Sequence, residues 1–506
     1  MKYLTEESHV ESTVQAPAAN TLGGSRKLTL VDAIAQSIGF MGPVFSIAFL
    51  VPLLVGVTSA SGKGAGGAAP LATLIAAIGV LGLGWIVAEY AKRIHAAGSL
   101  YDYVTDGLGN KTGAAAGGLY YLGILALGAG ILVLIGGTIY DTILGEFNKK
   151  PLPRAAWDLI LLALVATVLY LGVALSTRAQ LVLALVSITV VLIFSVYVIV
   201  KVGSSGNHVT KAFSPSSSPT GWTGVMFGVL YGVLLFTGFE TAANLGEETA
   251  HPKRDIPRAV LISVLVVSGF YVLCCYAQIA GFHFSLDAIG KNAGAPLFGL
   301  AGPASGGGFG SVALRRLLEL VVVLDMLAVL IGCSVASSRG FFAMARDRRL
   351  PKALGKISGR GTPLVAGMVV LALYFVTILI SHLWTGLVAL PGVPHYAAVF
   401  TWCSTFGGFA LSVIYLLMAI GAVRGLTGNG TYRAKVVVAA IIGGAVTAAA
   451  IFGSIYKVSK PLIYVPWAAL IIFVAGLVLA FLRPERTEMA ATFDALTETE
   501  RGPIKI

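Results

Sequence analysis

The sequence predicts an all-α integral membrane protein of about twelve transmembrane helices. Three observations predict it: the scarcity of charge, a series of apolar stretches of bilayer length, and the side on which Lys and Arg gather. Of 506 residues, 57% are hydrophobic and 11% are charged, with a mean hydropathy of +0.87. A soluble domain spends about 25% of its residues on Asp, Glu, Lys and Arg. At less than half that share, the chain lacks the charge to coat a globular surface, so lipid is the predicted solvent for most of it. The 62 glycines agree, because Gly lets membrane helices approach closely.

A spanning helix needs about 20 largely apolar residues. That rule places spans 1 to 12 at 30–57, 70–91, 113–140, 155–175, 179–202, 222–246, 258–282, 312–338, 363–384, 395–420, 434–456 and 462–482. Spans 4 and 5 are separated only by Ser176, Thr177 and Arg178, yet their combined length demands two crossings. The first 27 residues are polar, carrying Glu6, Glu7 and Glu11, and hold no apolar run of signal-peptide type.

Most of the 35 Lys and Arg fall on one side if the N-terminus is cytoplasmic, and the loop after span 8 alone holds Arg339, Arg346, Arg348, Arg349, Lys352, Lys356 and Arg360. Both termini are therefore expected inside. This distribution also accounts for the net charge of +12 as membrane anchoring to lipid headgroups, with no nucleic acid as partner. Cys274, Cys275, Cys333 and Cys403 lie in apolar stretches and read as small hydrophobes. The seven His are scattered without metal-ligand spacing, so neither a metal site nor a cofactor is expected.

Two spans break their own pattern. Span 1 contains Ile38-Gly39-Phe40-Met41-Gly42-Pro43, and span 6 contains Phe236-Thr237-Gly238-Phe239-Glu240. Gly and Pro at that depth free backbone groups, which lipid does not satisfy. Each interruption opens a five-helix set, spans 1–5 and 6–10, the pattern of inverted repeats with a site at their interface. Freed amides favour an anionic group and freed carbonyls a cation, a pairing that suits an amino acid. Close packing of glycines or a simple proline kink is the bland alternative.

Ionisable and hydroxyl groups at depth are the other candidates. Asp325, near the middle of span 8, suits a substrate amine, a coupling Na⁺ or a proton, or a pairing with a neighbouring helix. Glu240 suits either substrate contact or the holding of its broken helix. Ser334, Ser337 and Ser338 offer oxygen ligands to Na⁺, although such hydroxyls commonly bond within or across helices. Glu89 reads as structural. Phe236, Phe239, Tyr231, Tyr396 and Trp402 are gate candidates among aromatics that mostly pack or anchor. Arg346 and Asp347 are placed to meet Glu247 or Glu248 at the inner face.

These residues resemble the amino acid–polyamine–organocation (APC) transporter superfamily. Residues 236–258 are similar to its sixth helix and following loop: Gly238-Phe239-Glu240, then Glu247-Glu248, Pro252 and Ile256-Pro257-Arg258. Ser338-Arg339, Ala345-Arg346-Asp347, Leu350-Pro351 and Thr362-Pro363 form a second match. Ala88-Glu89-Tyr90, Ala97-Gly98-Ser99, Tyr101 and Tyr103 form a third. The resemblance covers roughly residues 28–483. It implies a five-plus-five inverted repeat with broken helices 1 and 6, followed by two further helices. The domains would be a cytoplasmic tail 1–27, a first repeat 28–202, an outer connector 203–221, a second repeat 222–420, helices 11 and 12 over 421–483, and a cytoplasmic tail 484–506.

The resemblance further implies a secondary active permease of the plasma membrane that moves amino acids or related small amines by alternating access. The substrate's carboxylate would meet the backbone around Ile38, Gly39, Phe40, Met41 and Gly42, and its ammonium group the backbone around Phe236, Thr237 and Gly238. The break in span 1 departs from the more Gly- and Ser-rich family pattern, which reshapes the pocket. Where proton-coupled members carry a Lys in span 5, Ser187 stands here, leaving H⁺ or Na⁺ coupling and exchange all open. An amine or polyamine exchanger, a channel and a membrane-embedded enzyme are the alternative readings.

Overall fold

In the computed structural model, residues 27–57, 64–147, 149–292, 294–390, 394–426, 433–456, 458 and 460–482 are described. Both predicted tails lie almost wholly outside them. Among the described residues the elements are helices, with only isolated β-bridges between loops. Eleven helices among the described residues are long and apolar enough to cross a membrane. The remaining predicted segment, span 6, is the broken one: its helix Trp222–Leu235 has 14 residues, and the chain resumes as the 3-10 helix Thr241–Glu248.

Burial sorts the helices into a centre and a periphery. In the most apolar stretch of span 1, 83% of residues are buried, and in span 8, 78%; in span 4 the share is 17% and in span 12, 22%. The peripheral helices turn large apolar side chains such as Leu164, Ile471 and Leu482 outward. A water-soluble protein would not leave so much apolar surface open, whereas in lipid that surface costs nothing. Spans 1 and 8 therefore lie mostly in the interior of the protein, and with them the break of span 6, where Phe236, Gly238, Phe239 and Glu240 are buried.

Local chemistry explains the ends of span 1. A capping box starts it: the Thr29 amide donates to Asp32 Oδ2 at 2.9 Å, and the Asp32 amide donates to Thr29 Oγ1 at 3.4 Å. The first half, Leu30–Met41, stops at Gly42 (φ +53), and the second half, Pro43–Phe49, begins at once. Glycine in the left-handed region ends a helix, and proline at the first position starts the next. A Cβ at Gly42 would also collide with Val329 of span 8.

The junction of spans 4 and 5 differs from expectation. The chain turns at Gly172 (φ +102), and the next helix runs Val173–Gly206. Residues 176–178 thus lie inside span 5; the polar triplet is the apparent gap, but the glycine has the backbone freedom the turn requires. The connector 283–311 forms two short helices, Leu286–Lys291 and Pro296–Ala301.

Candidate functional site between two broken helices

The two breaks meet. A Cβ built at Gly238 collides with the ring of Phe40, and one at Gly332 of span 8 comes within 3.1 Å of the Phe40 Cβ. Phe40 thus fills the interval between the break in span 6 and the face of span 8. Ser37 stitches the two breaks together: its hydroxyl donates to the Phe239 carbonyl at 2.8 Å and accepts from the Ala242 amide at 3.1 Å. Ile38, Gly39, Phe40, Met41, Gly42, Phe236, Gly238, Phe239 and Glu240 are all buried, while Thr237 is half-buried.

At span 1, Pro43 has no N–H, and the amides of Val44 and Phe45 turn from the helix to Asp325. Both donate to its Oδ2, at 2.9 and 2.8 Å. The Gly42 amide donates to the Ile38 carbonyl and the Ser46 amide to the Gly42 carbonyl. Span 8 therefore caps the second half of span 1 with a carboxylate, the charge that a helix N-terminus favours. Asp325 is fully buried, and its Oδ1 has no hydrogen-bond partner among the described residues.

At span 6 the carboxylate comes from the break itself. Glu240 Oε1 accepts from the Tyr120 hydroxyl of span 3 at 2.9 Å, and Oε2 accepts from the Tyr415 hydroxyl of span 10 at 2.8 Å. The amides of Phe236, Thr237, Phe239 and Thr241 find carbonyls within their own segment. Phe236 packs edge-on to Tyr271, and Phe239 lies 5.3 Å from the Tyr415 ring.

The remaining candidates are dispersed. Ser187 donates to the Val321 carbonyl at 2.8 Å, one turn from Asp325. Ser334 donates to the Leu330 carbonyl at 2.6 Å and Ser338 to that of Val335 at 2.9 Å, while Ser337 Oγ is buried without a partner among the described residues. At 1.5 Å per residue these three lie roughly 13–20 Å along the helix from Asp325, too far to share an ion with it. Tyr396 donates to Asp141 at 2.7 Å, and Trp402 Nε1 donates to the Val388 carbonyl at 3.0 Å, both toward the opposite end of span 10 from Tyr415. Tyr231 packs half-buried against the core. Phe45 and Phe400, in edge contact at 5.6 Å, and Phe49 with Phe298 at 6.4 Å form an aromatic stack on the far side of the break in span 1.

The loop after span 6 meets the end of span 8 through two ion pairs. Arg339 Nε lies 2.7 Å from Glu248 Oε1, with both side chains buried. Arg346 grips both oxygens of Glu247, at 2.7 and 3.0 Å, and Glu247 also accepts from the Ala97 amide at 2.9 Å. Beside them, burial and then the neighbouring Asp347 hold the Asp102 carboxyl well above the usual range, and burial raises that of Asp347.

Sequence reasoning missed Ser37, Gln36, Asn244, Tyr120 and Tyr415. Gln36 and Asn244 are buried with neither side-chain polar atom partnered among the described residues. The signal available was two amide side chains within a few residues of the breaks.

Comparison with known proteins agrees with this architecture. The crystal structure of a mutant manganese transporter from Eremococcus coleocola superposes over 91% of this chain and 98% of its own, with a TM-score of 0.54 at 14% identity; it shares the fold. The chain is 26% identical over 341 residues to a branched-chain amino acid permease of Bacillus subtilis, covering 62% of this chain and 68% of that one. It is 25% identical over 291 residues to the branched-chain amino acid permease of Lactococcus lactis, covering 54% and 60%. A vacuolar cationic amino acid transporter of Arabidopsis thaliana is 26% identical, over 66% of this chain and 55% of its own. The family description "Amino acid permease" matches residues 37–468, and the chain accordingly belongs to that family of transporters within the APC superfamily.

Proposed function

We propose that this protein is a secondary transporter that carries amino acids or related small amines across the plasma membrane by alternating access. The observation that carries the reading is the contact of two interrupted helices at the buried centre, each with a carboxylate, Asp325 or Glu240, at its break. Broken helices at the centre of a bundle supply a polar site that lipid does not reach. A solute enters as Phe40 leaves Gly238. The ion-paired loop around Glu247, Glu248, Arg339 and Arg346 closes one side, and the aromatic stack of Phe45, Phe49, Phe298 and Phe400 closes the other. The excess of Lys and Arg supports assigning the ion-paired side, with both termini, to the cytoplasm. The five-plus-five repeat with two added helices is the topology this reading assumes, and H⁺, Na⁺ or a counter-substrate drives the cycle.

The test is counterflow of labelled leucine, lysine and putrescine into proteoliposomes holding the purified protein. Saturable exchange of at least one of them is expected, and Gly238→Leu should abolish it, because the added side chain occupies the place of Phe40 at a φ of +102. Linear, non-saturating flux in the wild type would sink the transporter reading in favour of a channel.

A further inference from the structure

We infer that Asp325 permanently occupies the carboxylate half of the substrate site, so that the solute is an organic amine without a carboxylate of its own. The inference rests on the proposed site and narrows its substrate class.

An amino acid needs freed amides for its carboxylate. The break in span 1 frees two, those of Val44 and Phe45, and both already donate to Asp325 Oδ2. The amides on either side, Gly42 and Ser46, are bonded to backbone carbonyls, and residue 43 is a proline. A substrate carboxylate arriving here would have to displace Asp325, leaving two like charges side by side in a buried site with two donors between them. Break 6 offers no substitute: the amides of Phe236, Thr237, Phe239 and Thr241 are bonded within the segment, that of Ala242 donates to Ser37, and those of Gly238 and Glu240 face the Glu240 carboxyl, which two tyrosines also hold.

What the site lacks is a donor of positive charge. Asp325 Oδ1 is buried and bare among the described residues. At the same break the carbonyls of Gly39 and Phe40 lose their helical donors, because Pro43 has no N–H and the Val44 amide has turned to Asp325. The carbonyl end of the first half-helix adds its negative pole. One carboxylate oxygen and two carbonyls without helical donors at one break are acceptors of the kind an ammonium group, with its three N–H donors, pairs with. A buried carboxylate oxygen with no partner is expensive, and an amine removes that cost. Asp325 is in this way the specificity-determining residue, tied by one oxygen to the scaffold and presenting the other to the solute.

The experiment compares each amino acid with its decarboxylated counterpart on the full-length protein: leucine with isoamylamine, phenylalanine with phenethylamine, ornithine with putrescine. Ligand-dependent rise in Tm and counterflow are both read. In the wild type, the amine of at least one pair should bind about 100-fold more tightly than its amino acid, the scale on which a pocket rejects an added polar group that it cannot pair. In Asp325→Ala the two amides are freed, so that preference should collapse to less than about tenfold. Asp325→Asn, which keeps the shape and removes the charge, should lose the amine as well. Should either variant fail to fold, the wild-type pairs decide alone. An amino acid that binds the wild type as well as or better than its amine overturns the inference while leaving the transporter reading intact. If no member of any pair binds or exchanges, the inference falls together with the proposed site.

Discussion

The breaks in spans 1 and 6 pose the same physical problem and solve it differently. Each leaves backbone groups stranded at the centre of the protein, and each recruits a carboxylate. At span 6 the carboxylate belongs to the break, and both of its oxygens are tied to hydroxyls on spans 3 and 10. At span 1 it arrives from span 8, and only one oxygen is used. A fully satisfied network rigidifies, whereas an unpaired buried polar group carries a cost that a partner would remove. On the proposed reading Glu240 serves as scaffold and Asp325 contacts the ligand, although the two acids look alike in a sequence of apolar helices.

The largest effect expected from breaking this contrast is at Glu240. In Glu240→Leu the hydroxyls of Tyr120 and Tyr415 are left buried and unpaired, at about 1–3 kcal/mol each. The protein should lose several degrees of Tm and all transport. Adding Tyr120→Phe and Tyr415→Phe removes both orphaned hydroxyls and should recover most of the Tm without restoring transport. A triple variant no more stable than the single one would show that Glu240 does more than join spans 3, 6 and 10.

A smaller effect is expected at Ser37, which belongs to both breaks. Ser37→Ala strands the Ala242 amide, at about 1–3 kcal/mol, and removes the hydroxyl that donates to the Phe239 carbonyl. Because the bond joins spans 1 and 6, the variant should shift the balance of conformations in the proposed transport cycle as well as the Tm. Accessibility of single cysteines on each side of the membrane reads that shift; an unchanged pattern would make Ser37 a packing residue only.

Much of this was legible in the sequence, for physical reasons. Apolar length and charge bias mark spanning helices because the bilayer imposes both, and all twelve predicted segments have helical counterparts. The breaks were legible because Gly42 and Gly238 permit a left-handed backbone and Pro43 removes an N–H, both local properties. The partner of break 1 was not, since Asp325 lies about 280 residues from the amides it caps and nothing local encodes their meeting. Tyr120 and Tyr415 were hidden for a related reason: a tyrosine in an apolar helix looks the same whether it packs or holds a carboxylate. The chosen gate residues Tyr396 and Trp402 stand out by size alone, and they bond to Asp141 and to a carbonyl near the end of span 10.

The smallest effects belong to the ion-paired face, which separates a buried pair from a half-exposed one. Arg346 and Glu247 are partly exposed, so Arg346→Ala should cost only about 0.2–1 kcal/mol. The neighbouring acids give this face a pH dependence whose sign follows from their environment. Asp102 and Asp347 both have carboxyls raised above their unfolded values, chiefly by burial. The folded face therefore binds more protons than the unfolded chain between the unfolded and folded pKa values, and its stability falls as pH rises through that window. Low pH should hold the face closed and rising pH should loosen it, read as a fall in hydrogen-exchange protection, relative to the intrinsic rate at each pH, over the helix Leu100–Leu108. Asp102→Asn keeps that group uncharged at every pH and should flatten the profile. A profile as steep as that of the wild type would move the titration from Asp102 to another group, with Asp347 the first to examine because it is the largest charge acting on Asp102.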